Sequence, residues 1–159
     1  MTKKNSLHPI SYILYPGFSL IELLVVISII GMLLALSLFG ISNSREIARD
    51  ANRKADLELI RGGLEIYKAD CNDYPSNITK GLPLNGDGTP ASTCLVANEY
   101  ISKIPKDPID PARLYRYSRL TTTKYEICTA LEKGSGSVTC AGYSDCGTGV
   151  DCNYKITNP

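Results

Sequence analysis

The segment GFSLIELLVVISIIG (residues 17–31) opens an apolar run that covers residues 18–41 and contains one ionisable side chain, that of Glu22. As a helix, this run would be about 36 Å long, enough to cross the roughly 30 Å hydrocarbon core of a bilayer with some tilt. A secretory signal peptide has a shorter apolar core, of about 7–15 residues, followed by a small-residue cleavage site that is not found here. We therefore predict a helix that stays in the mature protein as a membrane anchor.

Glu22 is the most informative residue of the run, because a carboxylate inside a membrane helix costs about 3 kcal/mol and marks a functional position by default. The alternative is a side chain that only reaches up to the nearby interface. Cleavage after Gly17 would create an α-amino group on Phe18, which is largely protonated at neutral pH. In a bundle of helices, Glu22 could neutralise this amine on a neighbouring copy and set the axial register.

The apolar positions that follow recur with the spacing of a helix face. They are Ala48, Ala51 and Ala55, and then Leu57, Ile60, Leu64 and Tyr67, a second set whose 3-4-3 spacing predicts the face that packs on a core. Opposite charges four residues apart predict exposed pairs, which are Asp50 with Lys54, Lys54 with Glu58, and Arg61 with Glu65. We predict that the helix continues through residues 42–70 and packs one face on a core. Gly62 and Gly63 weaken a helix, and close packing of a strand against them would explain their presence.

The remaining chain predicts a small sheet. Residues 71–112 are interrupted by prolines and glycines, which indicates a connecting loop with one short helix at residues 93–101. Alternating β-branched and aromatic residues predict three strands within residues 113–159, at residues 114–117, 124–131 and 154–157. The predicted fold class is α+β, with a long N-terminal helix packed on a small antiparallel sheet.

Six cysteines lie downstream of the apolar run: Cys71, Cys94, Cys128, Cys140, Cys146 and Cys152. An even number in a small, loop-rich region favours disulfides and an oxidising compartment. Zinc is the alternative, but the sequence has no C-x-x-C pair and its one histidine, His8, lies in the part expected to be removed. Cys71–Cys94 ranks first among the pairings, because it would fasten the connecting loop to the helix. For the other four cysteines we expect Cys128–Cys152 and Cys140–Cys146.

The composition excludes several classes of function. A formal net charge of +1 gives no electrostatic basis for binding nucleic acid. A chain that starts at Phe18 has no histidine, which excludes histidine-based triads and H-E-x-x-H zinc sites. A phosphate-binding G-x-x-x-x-G-K-[ST] loop is also missing from the sequence. Catalysis by carboxylates or cysteines alone stays formally open, but no spacing in the sequence supports it. We therefore predict no catalytic residues and no enzymatic activity.

Residues 17–31 resemble the N-terminal processing segment of type IV prepilins and type II secretion pseudopilins. The resemblance implies a leader of residues 1–17, cleavage between Gly17 and Phe18 by a prepilin peptidase, methylation of the Phe18 amine, and Glu22 as the assembly residue. It implies a pilin-like, single-pass inner (cytoplasmic) membrane protein with an extracytoplasmic globular part, which joins a cell-surface or periplasmic filament. The expected partners are further copies and other pilins, the prepilin peptidase, an inner-membrane assembly platform and the lipid bilayer.

A second stretch, YISKIPKDP (residues 100–108), resembles the proline–aspartate stretch before the sheet of major pseudopilins, which bind calcium in a late loop. Asp145, Asp151 and Asn153 are the candidate calcium ligands of this chain. Three cysteines interleave with them, so we favour a loop stapled by disulfides over a metal site. We expect no cofactor, with calcium as the alternative.

Two classes of function follow from these features. The first is a structural subunit of a type IV pilus or type II secretion pseudopilus that polymerises through its N-terminal helix. The alternative is a membrane-anchored, extracytoplasmic, cysteine-rich binding module that does not polymerise.

One observation opposes an outer location, because basic residues near a membrane helix favour the cytoplasmic side. Four of them follow the run, Arg45, Arg49, Arg53 and Lys54, against two lysines before it.

Overall fold

The computed structural model describes residues 17–159, apart from the side chains of residues 38–40. Most of the predicted leader, including His8, therefore lies outside the described residues. Residues 42–159 form one compact unit, and the described residues up to Ile41 belong to another. The elements in chain order are α1 (Leu20–Cys71), β1 (Leu84–Asn85), β2 (Glu99–Ile101), β3 (Arg116–Thr121), β4 (Lys124–Thr129) and β5 (Tyr154–Thr157).

The strands form two antiparallel sheets, β1 with β2, and β3-β4-β5. In the larger sheet Ile127 is aligned with Tyr117 on one side and with Ile156 on the other. The predicted α+β, pilin-like fold class is confirmed. The predicted third strand has the observed bounds of β5, whereas β3 begins two residues later than predicted and extends to Thr121, and β4 ends at Thr129 instead of Leu131.

The helix predicted at residues 93–101 is wrong. This stretch contains turns and then β2, because its backbone bonds to β1 and to the turn that follows β1. Gly88 N–H donates to Cys94 O at 2.8 Å, and Gly86 N–H donates to Asn98 O at 3.1 Å. So short a helix would be marginal by itself, and tertiary hydrogen bonds together with the Cys94 disulfide decide the conformation.

The core-facing side of α1 is confirmed where the apolar spacing is regular. Leu57, Ile60, Leu64 and Tyr67 are all buried. They pack in one cluster with side chains of the sheet, among them Tyr117, Tyr125, Ile127 and Ile156. Tyr74 and Tyr125 meet edge to face, with ring centroids 4.6 Å apart. The helix ends after Cys71, where Asn72 takes a left-handed φ of 63° and its N–H donates to Lys68 O.

The three alanines before this face lie on another side of α1. Ala48, Ala51 and Ala55 are exposed. They continue at intervals of three or four residues into an exposed series, the outer stripe, which consists of Ala48, Ala51, Ala55, Leu59, Gly62, Ile66 and Ala69. The buried positions on this part of α1 are taken by charged residues instead, Asp50 and Arg53. Alanine is small enough to be tolerated in either environment, so its spacing did not identify the buried side.

The predicted exposed charge pairs also differ from those observed. Asp50 is buried and bonds to Arg53 instead of Lys54. Arg61 pairs with Glu58, three residues before it, at 3.3 Å. Glu65, its predicted partner, accepts hydrogen bonds from the hydroxyls of Tyr74 and Tyr125. Asp50 and Arg61 thus pair three residues along the helix instead of four, and Glu65 takes partners from outside the helix.

The two adjacent glycines of α1 have different surroundings. A Cβ at Gly63 would overlap the side chain of Ile101 on β2, so close packing of a strand explains this glycine as expected. A Cβ at Gly62 would meet no atom of residues 17–159 within 4 Å. The same explanation is therefore wrong for Gly62, which lies in the outer stripe.

The cysteines form three disulfides, Cys71–Cys94, Cys128–Cys140 and Cys146–Cys152. The first is the pairing that the sequence ranked highest. The expected Cys128–Cys152 and Cys140–Cys146 pairs are wrong. In the β4–β5 ladder Cys128 is aligned with Lys155, so Cys152 lies beyond the strand and not opposite Cys128. The loop before β5 brings Cys140 to Cys128 instead.

Candidate assembly site

The predicted assembly residue lies in the first turn of α1. Ser19 precedes the helix, and its N–H donates to Glu22 Oε2 at 3.0 Å, while Leu23 N–H donates to Ser19 O. A serine followed three residues later by a glutamate that reaches back to the serine N–H is half of a capping box. In the single chain, Glu22 is thus bound to a backbone N–H of its own helix start. The Ser19–Glu22 spacing was the signal for this role, which the sequence analysis missed.

No part of the chain that the structure describes covers the apolar segment. Phe18 is 83% exposed, and every described side chain from residue 20 to residue 37 is exposed as well. By length and composition α1 could cross a membrane. The serines of this segment satisfy their hydroxyls internally, Ser28 to Leu24 O at 2.8 Å and Ser37 to Leu33 O at 2.9 Å. Internal satisfaction is what a hydrocarbon environment requires of polar groups. An apolar surface of this extent indicates contact with lipid or with other chains.

A buried group of charges, the Arg53 cluster, lies in the unit formed by residues 42–159. Its members are Arg49, Asp50, Arg53, Asp107 and Glu132. Arg53 has no exposed side-chain surface and holds Asp107 through two hydrogen bonds, of 2.7 and 3.1 Å. Its remaining amine donates to Asp50 and Glu132 at 2.7 and 2.8 Å. Arg49 holds Glu132 from the other side. The cluster ties α1 to the segment before the larger sheet and to the loop after β4.

The charges of the cluster shift one another's ionisation. The hydrogen bond from Arg49 lowers the pKa of Glu132 to about 2, against the effect of burial, and Arg53 adds to this. Burial by itself would raise the pKa of Asp50, but the N–H groups of Glu132 and Lys133 and the Arg53 guanidinium keep it below its ordinary value. Burial likewise opposes the charge of Arg53, yet its three carboxylate partners raise its pKa. Asp50, Arg53 and Glu132 are therefore held in their charged forms.

The candidate calcium ligands are engaged with the protein. Asp145 accepts a hydrogen bond from Arg116 at 2.8 Å, which lowers the pKa of Asp145. Asn153 uses both ends of its amide on the backbone of Leu131, accepting from the N–H at 2.7 Å and donating to the O at 2.9 Å. Asp151 is exposed. Calcium takes six to eight oxygen ligands, usually including several carboxylates, and the donor set of these three residues does not fit it.

The fold and the exposed N-terminal segment together define a pilin-like protein with a membrane-type helix and a small cystine-linked unit. We call this unit, residues 42–159, the head. Residues 16–38 match the family model described as a prokaryotic N-terminal methylation motif. Residues 41–139, more than half of the chain, match the model for protein G of the type II secretion system. The chain belongs to the type II secretion system protein G family, a family of structural pseudopilins.

Several curated relatives carry the name type II secretion system core protein G. The chain is 33% identical over 94 residues to the one from Pectobacterium carotovorum subsp. carotovorum, an alignment that covers 58% of this chain and 60% of the relative. The relatives from Pseudomonas aeruginosa and Escherichia coli are also 33% identical, over 66% and 65% of their lengths. The chain thus spans less than two thirds of the length of these relatives. No solved structure matches the chain.

Proposed function

We propose that this chain is a structural subunit of a type II secretion pseudopilus, with no catalytic role of its own. In this proposal it is cut between Gly17 and Phe18 by a prepilin peptidase, methylated at Phe18, and polymerised through its N-terminal helix. The observation that carries the proposal is the wholly exposed apolar segment with Glu22 in its first turn. The match of residues 16–38 to the methylation motif supports the processing step.

Glu22 would change partners during assembly. In the single chain its carboxylate accepts from the Ser19 N–H. After cleavage, a cationic amine stands one residue before Ser19, and the amine of a neighbouring copy would offer Glu22 a charge-assisted hydrogen bond, which is roughly twice as strong as a neutral one. Apolar side chains gain no hydrophobic free energy when they exchange contacts with lipid for contacts with one another. The ion pair would therefore set the register, while packing supplies the remaining attraction.

The proposed partners are further copies and other pilins, the prepilin peptidase, an inner-membrane assembly platform and the bilayer. The head is proposed to lie outside the cytoplasmic membrane. Three disulfides support an oxidising compartment. The excess of basic residues after the membrane segment opposes this location, and in this proposal the disulfides and the match to the methylation motif outweigh it.

Shearing and mass spectrometry test the proposal. The chain is produced together with its prepilin peptidase and assembly machinery, sheared filaments are collected, and the intact mass of the subunit is measured. We expect filaments whose subunit begins at a methylated Phe18. A chain that is cut at this bond but stays in the membrane as a monomer would contradict polymerisation and favour the binding module. An uncut chain would contradict the processing step.

A further inference from the structure

The segment between β4 and β5 has a small core of its own, which is built mainly from cystine. Its buried members are Cys128, Ala130, Cys140, Cys146 and Cys152, with Val138 and Val150 packed beside them. Four of these five buried residues are thus cysteines that form disulfides. Residues 132–153 are otherwise rich in glycine, serine and threonine and contain no strand in the described structure. So little apolar surface cannot by itself offset the entropy of ordering such a segment.

The disulfides attach this segment at two places. Cys140 is joined to Cys128 on β4, which brings the middle of the segment back onto the sheet. Cys146 and Cys152 close a loop with a separation of six residues. Backbone hydrogen bonds depend on these positions, because Leu114 N–H donates to Cys146 O and Val138 N–H donates to Cys152 O, both at 2.7 Å.

The acidic side chains around residues 132–153 already hold this segment in place through hydrogen bonds and ion pairs. Glu126 on β4 is buried, accepts from the Ala141 N–H, and pairs with Lys155 at 3.1 Å. Asp145 is held by Arg116 at 2.8 Å. Asp151 is exposed and is the one carboxylate of residues 134–153 that stands outside such a pair. A calcium site needs several carboxylate and carbonyl oxygens aimed at one point, and this arrangement does not provide them.

We infer that the Cys128–Cys140 and Cys146–Cys152 disulfides order residues 132–153 in this chain, in place of a calcium ion. The head is therefore sensitive to thiol reduction and indifferent to calcium. The inference concerns the head alone and does not rest on the proposed polymerisation.

Calcium chloride and a chelator test the metal half of the inference on the wild-type protein. The full oxidised chain is purified in detergent micelles, and its thermal unfolding midpoint is measured in millimolar calcium chloride and in excess chelator. A ligand that binds only the folded state must raise the midpoint, so we expect the two midpoints to agree within about 1 °C. A higher midpoint in calcium, or a heat of binding in a calcium chloride titration, would overturn the inference.

Paired cysteine variants test the disulfide half. In Cys146→Ser/Cys152→Ser we expect proteases to cleave within residues 132–153 and the unfolding midpoint to fall by about 5–10 °C. The matched control is Cys71→Ser/Cys94→Ser, which removes a disulfide elsewhere and should leave residues 132–153 resistant. If the Cys146→Ser/Cys152→Ser variant does not fold, limited proteolysis of the wild-type chain after mild reduction gives the same comparison. Resistance of this segment in the reduced, folded protein would contradict the disulfide half.

Discussion

Replacement of Arg53 by methionine should strongly destabilise the head. Methionine has nearly the same helix propensity as arginine and can fill much of the space of its aliphatic stem. The change therefore removes mainly the guanidinium and its charge. Arg53 is completely buried, and its four hydrogen bonds reach three different carboxylates.

The size of the effect follows from what each carboxylate retains. Glu132 keeps Arg49, and Asp50 keeps the N–H groups of Glu132 and Lys133. Among the described residues, Asp107 keeps only the Ile109 N–H, although its side chain is as fully buried as that of Arg53. Removing one partner of a buried pair costs about 3–5 kcal/mol, because the other charge is left without compensation. We expect this loss in the free energy of unfolding.

The measurement is a urea unfolding curve of the full chain in detergent micelles. A loss of this size lowers the midpoint by about 2 M for ordinary denaturant slopes. Arg61→Met is the matched control, since Arg61 lies on the same helix and pairs with Glu58 while 40% of its side chain is exposed. An exposed pair of this kind is worth less than about 1 kcal/mol. Adding Asp107→Asn to Arg53→Met should recover part of the loss.

Equal midpoints for Arg53→Met and Arg61→Met would refute this reasoning. Such a result would mean that water or a rearranged side chain neutralises Asp107 when Arg53 is missing. A double variant that is no more stable than Arg53→Met would show that the stranded charge of Asp107 is not the source of the loss.

Three further outcomes are expected. Glu22→Gln keeps an oxygen that can accept from the Ser19 N–H but removes the charge. Filament yield should therefore fall as far as in Glu22→Ala. Wild-type yield from the glutamine variant would show that only the hydrogen bond to the Ser19 N–H matters. Gly63→Ala should destabilise the head by about 1–3 kcal/mol, because the new Cβ overlaps Ile101. Gly62→Ala should instead stabilise the helix by about 0.5–1 kcal/mol. Equal effects of the two substitutions in urea unfolding would contradict the packing of β2 on Gly63. The pKa of Glu132 is lower in the folded state than in the unfolded state. The stability that Glu132 contributes is therefore complete above about pH 4.5 and is lost as the pH falls towards about 2. A flat acid unfolding curve, or one that is unchanged in Glu132→Gln, would contradict this expectation.

Periodicity predicted the parts of the fold in which one kind of side chain repeats. The spacing of Leu57, Ile60, Leu64 and Tyr67 identified the buried face of α1, since few side chains other than apolar ones occupy consecutive core positions. The run of residues 18–41 predicted a membrane-type helix because it is long and almost uniformly apolar. Alternation predicted the three strands of the larger sheet, with small errors at their ends.

The missed features depend on contacts between distant residues. Arg53 and Asp107 are 54 residues apart in the chain, and a charged residue on a helix is exposed far more often than it is buried. The disulfides after β4 follow from the alignment of Cys128 with Lys155, and strand register cannot be read from cysteine spacing. The strand at Ile101 was missed because its short ladder is stabilised by tertiary packing on Gly63.

The tyrosine-rich core determines which optical signals report on which part of the protein. The chain has ten tyrosines and no tryptophan, and two of the tyrosines, Tyr12 and Tyr15, belong to the predicted leader. The other eight lie in the head, and all of them except Tyr143 are buried or half-buried. Without the leader, the tyrosine bands of the near-ultraviolet circular dichroism therefore come from the head alone, whereas the 52 residues of α1 dominate the far-ultraviolet signal. One heated sample thus yields two melting curves, and a gap between them would measure how independently the head melts while the helix persists.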